Sequence, residues 1–270
     1  MSDTFLEQID WQQPWLAPIR PVAERVLQAS SWRDGINAAA DTQGLKNHEG
    51  FPLKFVPQPD LPAGVAYETF ISDTGNVPTR DNLHDFFNAL VWLTYPRIKV
   101  QLNALQATEI TNRKISLQPS RGKLRDAATI FDENAVLLLT SDATLPDKLR
   151  QHQWRTLFVE ERETFQACCR VHLFGHALME KLVAPYKAIT GHTWVVQVEK
   201  DVLSLPQTEI QEWLDAKVAG EIRGGLNTSD FTHLPVLGVP GWWLAQDESF
   251  YADTAVFRPM KLPLAVSAKE

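Results

Sequence analysis

Three short apolar runs, separated by segments with helical patterns, constrain the fold of this chain more than any other feature. The runs cover residues 135–140, 169–174 and 193–198. Runs of this length that are almost entirely apolar are typical of strands covered on both faces. The segments between them, residues 146–163 and 175–183, have helical patterns. This strand–helix–strand–helix–strand order predicts a small α/β layer over about residues 125–200.

The clearest helical pattern in the chain begins near Asp81 and continues to about Thr111. Asn82 is placed to cap the helix, and Asp85 falls at the third helical position. The apolar residues that follow surround most of the helix, which indicates a long central helix that is buried. They are Phe86, Phe87, Leu90, Val91 and Leu93. Pro96 is expected to kink or divide this helix.

The remaining segments have mixed patterns. Residues 15–111 are expected to form a mainly helical part, with an edge strand at residues 65–71 and a basic loop at 112–126. The Trp- and Pro-rich start and the aromatic stretch after residue 238 predict irregular terminal segments. We therefore expect an α/β or α+β fold in a single domain over residues 1–264, with a small mixed sheet and a frayed tail over 265–270.

Composition and charge exclude several classes of partner. The formal charge of −7 and the pI near 5.5 give no general attraction to duplex nucleic acid. The apolar run at residues 86–95 is far shorter than the roughly 20 residues that a membrane helix needs, and no secretory signal is visible. The cysteines, Cys168 and Cys169, are adjacent, which disfavours a disulfide between them. We expect a cytoplasmic protein without a membrane partner, and no pattern indicates its oligomeric state.

His172 and His176 are four residues apart, which is the spacing of paired histidines in metal sites on helices. Together with Glu180 they would share one face of a continuous helix and could hold a metal ion. The zinc-protease motif is incomplete, because Leu173 stands where that motif has its catalytic Glu. Gly175 favours a strand followed by a helix, which separates the two histidines. The metal triplet is therefore disfavoured, and His176 remains as a general base or ligand at a helix start.

A second group of polar residues opens the central helix. His84 and Asp85 are adjacent, as in metal-dependent phosphohydrolases that carry a His-Asp doublet, but no well-placed upstream histidine accompanies them. Asp85 is explained as a capping residue. Asn88 lies one turn below His84, so the two side chains are candidates to reach a common cleft, where Asn88 is expected to bind substrate.

Carboxylates and basic residues precede the first buried strand. Asp132 and Glu133 can furnish an acid/base pair or ligands for a divalent cation, although an ordinary solvated turn explains them as well. Arg125 and Asp126 are candidates to bind substrate, as is Trp242 in the aromatic stretch near the C-terminus. The alternative role for Trp242 is to cover the core.

Several long stretches resemble one family. They are residues 77–92, 125–134, 174–180 and 238–243. These stretches look like the bacterial family of uncharacterised proteins known as domain of unknown function three thousand and twenty-five. The resemblance extends from about Tyr67 to Pro259. It implies that this range is one unit, and it implies no reaction, cofactor or catalytic residue.

These observations lead to two hypotheses about function. The first is a small-molecule hydrolase or group transferase, acting on a small polar molecule, with its cleft at the C-terminal ends of strands. His176, His84, Asp132 and Glu133 would be its catalytic residues, and a divalent metal is a possible cofactor. The second is a non-catalytic ligand-binding or protein-interaction module that uses the aromatic C-terminal stretch. Convergence of the histidines and carboxylates beside a pocket would favour the first.

Overall fold

The structure is a computed structural model, and it describes residues 4–116 and 122–260, with side chains for residues 4–112 and 122–260. Part of the predicted basic loop and the predicted frayed tail lie outside the described residues. The helices are α1 (Arg20–Val26), α2 (Trp32–Gln43), α3 (Tyr67–Thr74), α4 (Leu83–Thr94), α5 (Pro96–Ser116), α6 (Lys123–Asn134), α7 (Leu145–Arg150), α8 (Arg162–Cys168), α9 (His176–Lys181), α10 (Gln207–Glu221) and α11 (Glu248–Tyr251). The strands are β1 (Lys54–Pro57), β2 (Asn76–Thr79), β3 (Ala135–Thr140), β4 (Cys169–Leu173), β5 (Thr190–Gln197) and β6 (Thr232–Pro235).

The main sheet is small and mixed, which confirms the predicted fold class. Its order is β4-β3-β5-β6, with β3 parallel to β5 and both outer pairs antiparallel. All residues of β3 are buried, as expected for a central strand covered on both faces. The fourth strand, β6, lies outside the predicted layer, because it comes from the C-terminal part of the chain. The strands β1 and β2 form a separate parallel pair within the part that was predicted to be helical.

The central helix is buried and begins as predicted. The Asn82 side chain accepts a hydrogen bond from the Asp85 backbone N–H at 2.8 Å, and most residues of α4 are buried. Pro96 divides the pattern into α4 and α5, since proline cannot donate the hydrogen bond that a continuous helix needs. The first backbone N–H groups of α5 are satisfied by Asp215 on α10, which accepts from Arg97 at 3.0 Å and from Ile98 at 2.9 Å.

Three local predictions were wrong. Residues 65–71 were predicted to be an edge strand, but α3 covers most of them because Tyr67 and Ile71, four residues apart, share a helical face that packs near α5. The predicted loop at 112–126 is helical at both described ends, in α5 and α6. The predicted helix at 146–163 is broken, since His152 adopts a left-handed φ of 55° after α7.

The core is a continuous cluster of buried apolar side chains that joins the sheet to the helices on either side. None of the helices within residues 4–116 and 122–260 has the length and hydropathy that a membrane crossing requires. Cys168 and Cys169 are both free thiols, in agreement with the sequence analysis. The division into one domain over residues 1–264 stays a prediction.

Candidate functional site

The candidate site lies where α4, α6 and α9 meet at one end of the sheet. The end of α6 leads directly into β3, and β4 leads through Gly175 into α9. A Cβ atom on Gly175 would lie 2.5 Å from the backbone of Asn134, so only glycine allows these two junctions to approach so closely. The Phe174 and Gly175 backbone N–H groups both donate to the Ala135 carbonyl oxygen, at 3.1 and 2.9 Å. This contact places the start of α9 beside the last turn of α6.

This location differs in part from the predicted one. The site is at the C-terminal end of β4 but at the N-terminal end of β3, because the two strands are antiparallel. The interpretation of Asp132 and Glu133 as residues of a solvated turn was wrong, since both belong to the last turn of α6. The helix continues to Asn134 and holds the two carboxylates against α4 and α9.

Two histidines and one carboxylate converge at the centre of the site. The Nε2 atoms of His84 and His176 are 3.1 Å apart, although the residues are 92 positions apart in the chain. The Oε2 atom of Glu133 lies 3.7 Å from Nε2 of His176. Each of the three residues offers a ligand atom within 4.8 Å of the other two. Among the described residues, no other group of three His, Cys, Asp or Glu side chains brings ligand atoms this close.

A carboxylate stands behind each histidine. The Nδ1 atom of His84 lies 2.9 Å from Oε2 of Glu180 on α9. A carboxylate only accepts, so this bond places a His84 proton on Nδ1 and turns Nε2 toward His176. The Nδ1 atom of His176 lies 3.9 Å from Oδ2 of Asp132. In both imidazoles the outer nitrogen faces a carboxylate and the inner nitrogen faces the common centre.

Burial determines the charge states at this centre. His176 is almost fully buried, and this burial lowers its pKa to about 3, so the imidazole is neutral at pH 7. Burial also raises the pKa of Glu133, with a further contribution from the negative charge of Asp132. A neutral His176 and a Glu133 carboxylate of raised basicity are the forms in which these two groups bind a metal ion or accept a proton.

A buried lysine neutralises part of the negative charge. Lys99 on α5 is 4% exposed, and its Nζ atom is 2.5 Å from Oδ1 of Asp132 and 2.8 Å from Oδ1 of Asn88. The ammonium also lies 5.2 Å from the centre of the Trp92 ring. Burial alone would raise the pKa of Asp132, but its neighbours, first among them the Lys99 ammonium, outweigh burial and hold the pKa below its ordinary value. Asp132 is therefore an anion that faces His176.

Two residues of α3 complete the wall opposite α6. The Tyr67 hydroxyl accepts a hydrogen bond of 3.2 Å from the Asn88 amide, and Glu68 accepts one of 2.6 Å from Asn103. Burial raises the pKa of both Tyr67 and Glu68, and neighbouring carboxylates raise them further. Neither residue was predicted to belong to the site, because residues 65–71 were predicted to be an edge strand. A helical reading with Tyr67 and Ile71 on one face was the available signal.

These side chains line a cleft of about 300 Å³. Its lining residues are Gln58, Leu61, Tyr67, Glu68, Pro78, Arg80, His84, Asp85, Asn88, Asp132, Glu133 and His176. All four residues predicted to be catalytic, together with Asn88 of those predicted to bind substrate, are therefore brought together. Glu180, which was considered only as a partner of His172 and His176, supports His84 from outside the lining.

Other predicted residues lie elsewhere. His172 is buried on β4, where its Nδ1 atom is 3.0 Å from the Tyr95 hydroxyl, so the triplet with His176 and Glu180 does not form. Trp242 packs against Trp15, with ring centres 6.1 Å apart, and lines a different cavity. Arg125 and Asp126 belong to α6 but are not among the residues that line the cleft.

The chemistry of the cleft follows from its donor set. Two imidazole nitrogens and one carboxylate oxygen are a ligand set that proteins use for catalytic zinc and for iron(II), with positions left open for water and substrate. The hydrogen bond from Nδ1 of His84 to Glu180 is the arrangement that usually fixes the orientation of metal-binding histidines, whereas Nδ1 of His176, at 3.9 Å from Asp132, makes no hydrogen bond. The other carboxyl groups in the cleft can take up or return protons.

Comparisons with known proteins give a family and no reaction. The family model described as Protein of unknown function (DUF3025) matches residues 53–261. Every residue that lines the cleft falls within this range. No curated protein and no solved structure matches the chain.

Proposed function

Because the chain belongs to the family Protein of unknown function (DUF3025), whose description names no reaction, we propose a function from the geometry of the cleft. The protein is a divalent-metal-dependent hydrolase or group transferase that acts on a small polar molecule. His84, His176 and Glu133 are the metal ligands, and Glu180 and Asp132 orient the two histidines. The observation that carries the proposal is the 3.1 Å approach of two Nε2 atoms, each backed by a carboxylate on the other side of its ring.

The separations agree with a common metal ion. With metal–nitrogen bonds of about 2.05 Å, a distance of 3.1 Å between the two nitrogens corresponds to a nitrogen–metal–nitrogen angle of about 98°. With a metal–oxygen bond of about 2.1 Å, the 3.7 Å between Glu133 and His176 corresponds to an angle of about 126°. The two angles lie on either side of the tetrahedral value, so these two pairs of atoms fit a common zinc ion.

The acidic residues of the cleft supply the proton transfers. A metal ion in this position would lower the pKa of a bound water molecule and hold the substrate oxygen. Glu68 lines the same cleft and its pKa is raised by burial, so it would serve as the general base that accepts a proton from the attacking water and would return that proton to the leaving group when the bond to it breaks. In a group transfer, an alcohol or amine takes the place of water in the same steps.

Metal content tests the proposal most directly. Purified protein is expected to contain about one equivalent of metal per chain. After chelation, zinc, manganese or iron(II) at 100 times its dissociation constant should stabilise the fold by about 2.7 kcal/mol, a rise in Tm of roughly 5–10 °C. Protein that contains no stoichiometric metal and shows no thermal shift with any of the three ions would contradict the proposal.

Matched variants separate this site from incidental metal binding. Glu133→Gln and His84→Ala should each reduce the metal content to a small fraction of the wild-type value. His233→Ala, which removes an exposed histidine from another cleft, should leave it unchanged. Turnover is then measured with a panel of small esters, amides and phosphate esters. Metal binding without any turnover by the loaded protein would favour the alternative of a non-catalytic ligand-binding module.

A further inference from the structure

A chain of hydrogen bonds with a fixed direction leads from Lys99 to the surface of the cleft. The Lys99 ammonium has no acceptor atom, so it donates to Oδ1 of Asn88 at 2.8 Å. This contact fixes the orientation of the Asn88 amide and turns Nδ2 toward Tyr67. Nδ2 donates to the Tyr67 hydroxyl oxygen at 3.2 Å. The hydroxyl oxygen therefore accepts, and its own proton is free to be donated elsewhere.

The Tyr67 hydroxyl, whose proton remains available for a hydrogen bond, belongs to a side chain that lines the cleft. Among the described residues, the Tyr67 hydroxyl has Asn88 as its hydrogen-bond partner. Tyr67 lines the cleft together with His84, Glu133 and His176. Burial keeps the hydroxyl protonated, because it raises the Tyr67 pKa well above the ordinary value. Successive donation along such a chain strengthens the last donor, particularly where the first donor is an ammonium.

We infer that Tyr67 donates a hydrogen bond to the substrate oxygen on which negative charge develops, and that this oxygen belongs to the carbonyl group of an ester or amide. The inference rests on the proposed function, and it narrows the substrate class. Of the four acidic residues that line the cleft, Asp85 is paired with Arg80 and Asp132 with Lys99, and the two that remain, Glu68 and Glu133, disfavour a phosphate dianion as ligand. A carbonyl group enters without charge and acquires it only as the nucleophile bonds to carbon, which is the step that a fixed donor accelerates.

The direction of the hydrogen bonds from Lys99 through Asn88 to Tyr67 can be tested with two variants and a control. Tyr67→Phe removes the donor and keeps the ring. Asn88→Asp is nearly isosteric, and its second carboxylate oxygen would accept the Tyr67 proton, which reverses the last bond and withdraws the donor from the cleft. Tyr95→Phe is the matched control, because Tyr95 is also buried and hydrogen-bonded but contacts His172 outside the cleft.

The measurement uses cobalt(II)-loaded full-length protein and acetohydroxamate, whose carbonyl oxygen stands in for that of a substrate. Binding is followed by the visible absorption of cobalt, with azide as a second ligand that has no carbonyl group. Tyr67→Phe and Asn88→Asp should each weaken hydroxamate binding by roughly 10- to 100-fold. Azide affinity and cobalt content should stay unchanged, as should every property of Tyr95→Phe.

The possible failures are distinguishable. Wild-type protein that takes up no cobalt overturns the proposed function and this inference with it. Protein that binds cobalt and hydroxamate, but in which Tyr67→Phe and Asn88→Asp bind hydroxamate within twofold of wild type, overturns the role of Tyr67 alone. If Asn88→Asp lowers the Tm by more than a few degrees, Tyr67→Phe decides the outcome, since it preserves the packing of the ring.

Discussion

Two clefts of similar size in the described part of the chain are each lined by more than one histidine, and they differ in what surrounds the imidazoles. The proposed metal cleft, of about 300 Å³, has four acidic residues in its lining. The other, of about 320 Å³, is lined by His152, His192, His233 and Arg258, with no acidic residue among the described residues that line it. We call it the histidine–tryptophan cleft, because Trp154 also lines it.

Histidines in the second cleft are held in ways that do not favour a metal ion. His152 stacks on Trp154 with ring centres 5.0 Å apart, and its Nδ1 atom donates to the Arg258 carbonyl oxygen at 3.1 Å. His192 and His233 lie opposite each other on β5 and β6, with ring centres 5.1 Å apart. The number of histidines is therefore not what distinguishes the metal cleft. Carboxylates behind the rings, and the buried lysine that balances them, make the difference.

The largest expected effect comes from removing that lysine. In Lys99→Met the carboxylate of Asp132 and the amide oxygen of Asn88 lose their buried partner, and such a loss typically costs about 3–5 kcal/mol of unfolding free energy. Urea denaturation of the metal-free protein measures it. Arg258→Met, which removes the cation of the histidine–tryptophan cleft from an exposed position, should change stability by less than about 0.5 kcal/mol. Similar losses in both variants would remove the electrostatic distinction between the clefts.

A smaller effect is expected from the carboxylate behind His84. Glu180→Ala should weaken metal binding by about 10- to 100-fold, because His84 loses the acceptor that fixes its orientation and its proton. Competition with a chelator of known affinity measures the change. Glu221→Ala is the control, since Glu221 accepts a bond of 2.9 Å from the Trp194 ring nitrogen outside the cleft. Equal affinities in Glu180→Ala and wild type would show that the carboxylate does not support a metal ligand.

Features set by neighbouring residues could be predicted from the sequence. The cap at Asn82 and the division at Pro96 depend on a few consecutive residues, and both were predicted correctly. The strand-then-helix transition at Gly175 was also correct. The segment at 65–71 failed because its β-favouring residues pack as a helix against α5, a contact between distant parts of the chain.

The residues of the site could be predicted from the sequence, but their arrangement in space could not. His84, His176, Asp132 and Glu133 were each named, yet nothing in the sequence specifies that His84 and His176 approach to 3.1 Å. Lys99 was missed, because a lysine within a helical segment usually faces solvent, and its burial depends on Asp132 from another helix. The capping of α5 by Asp215 likewise joins residues that are far apart in the sequence.

The smallest predicted effect concerns the pH dependence of the histidine–tryptophan cleft. Burial lowers the pKa of His192, and the neighbouring His233 and Lys181 lower it further. As pH falls below about 6.5, the unfolded chain binds a proton at this residue before the folded protein does, so folding stability decreases with falling pH. His192→Gln removes this contribution. Unfolding free energies measured between pH 7.5 and 5 should therefore fall less steeply in His192→Gln than in wild type. Equal slopes in the two proteins would mean that His192 binds a proton as readily in the folded protein as in the unfolded chain. The lack of carboxylates in this cleft would then have no electrostatic consequence.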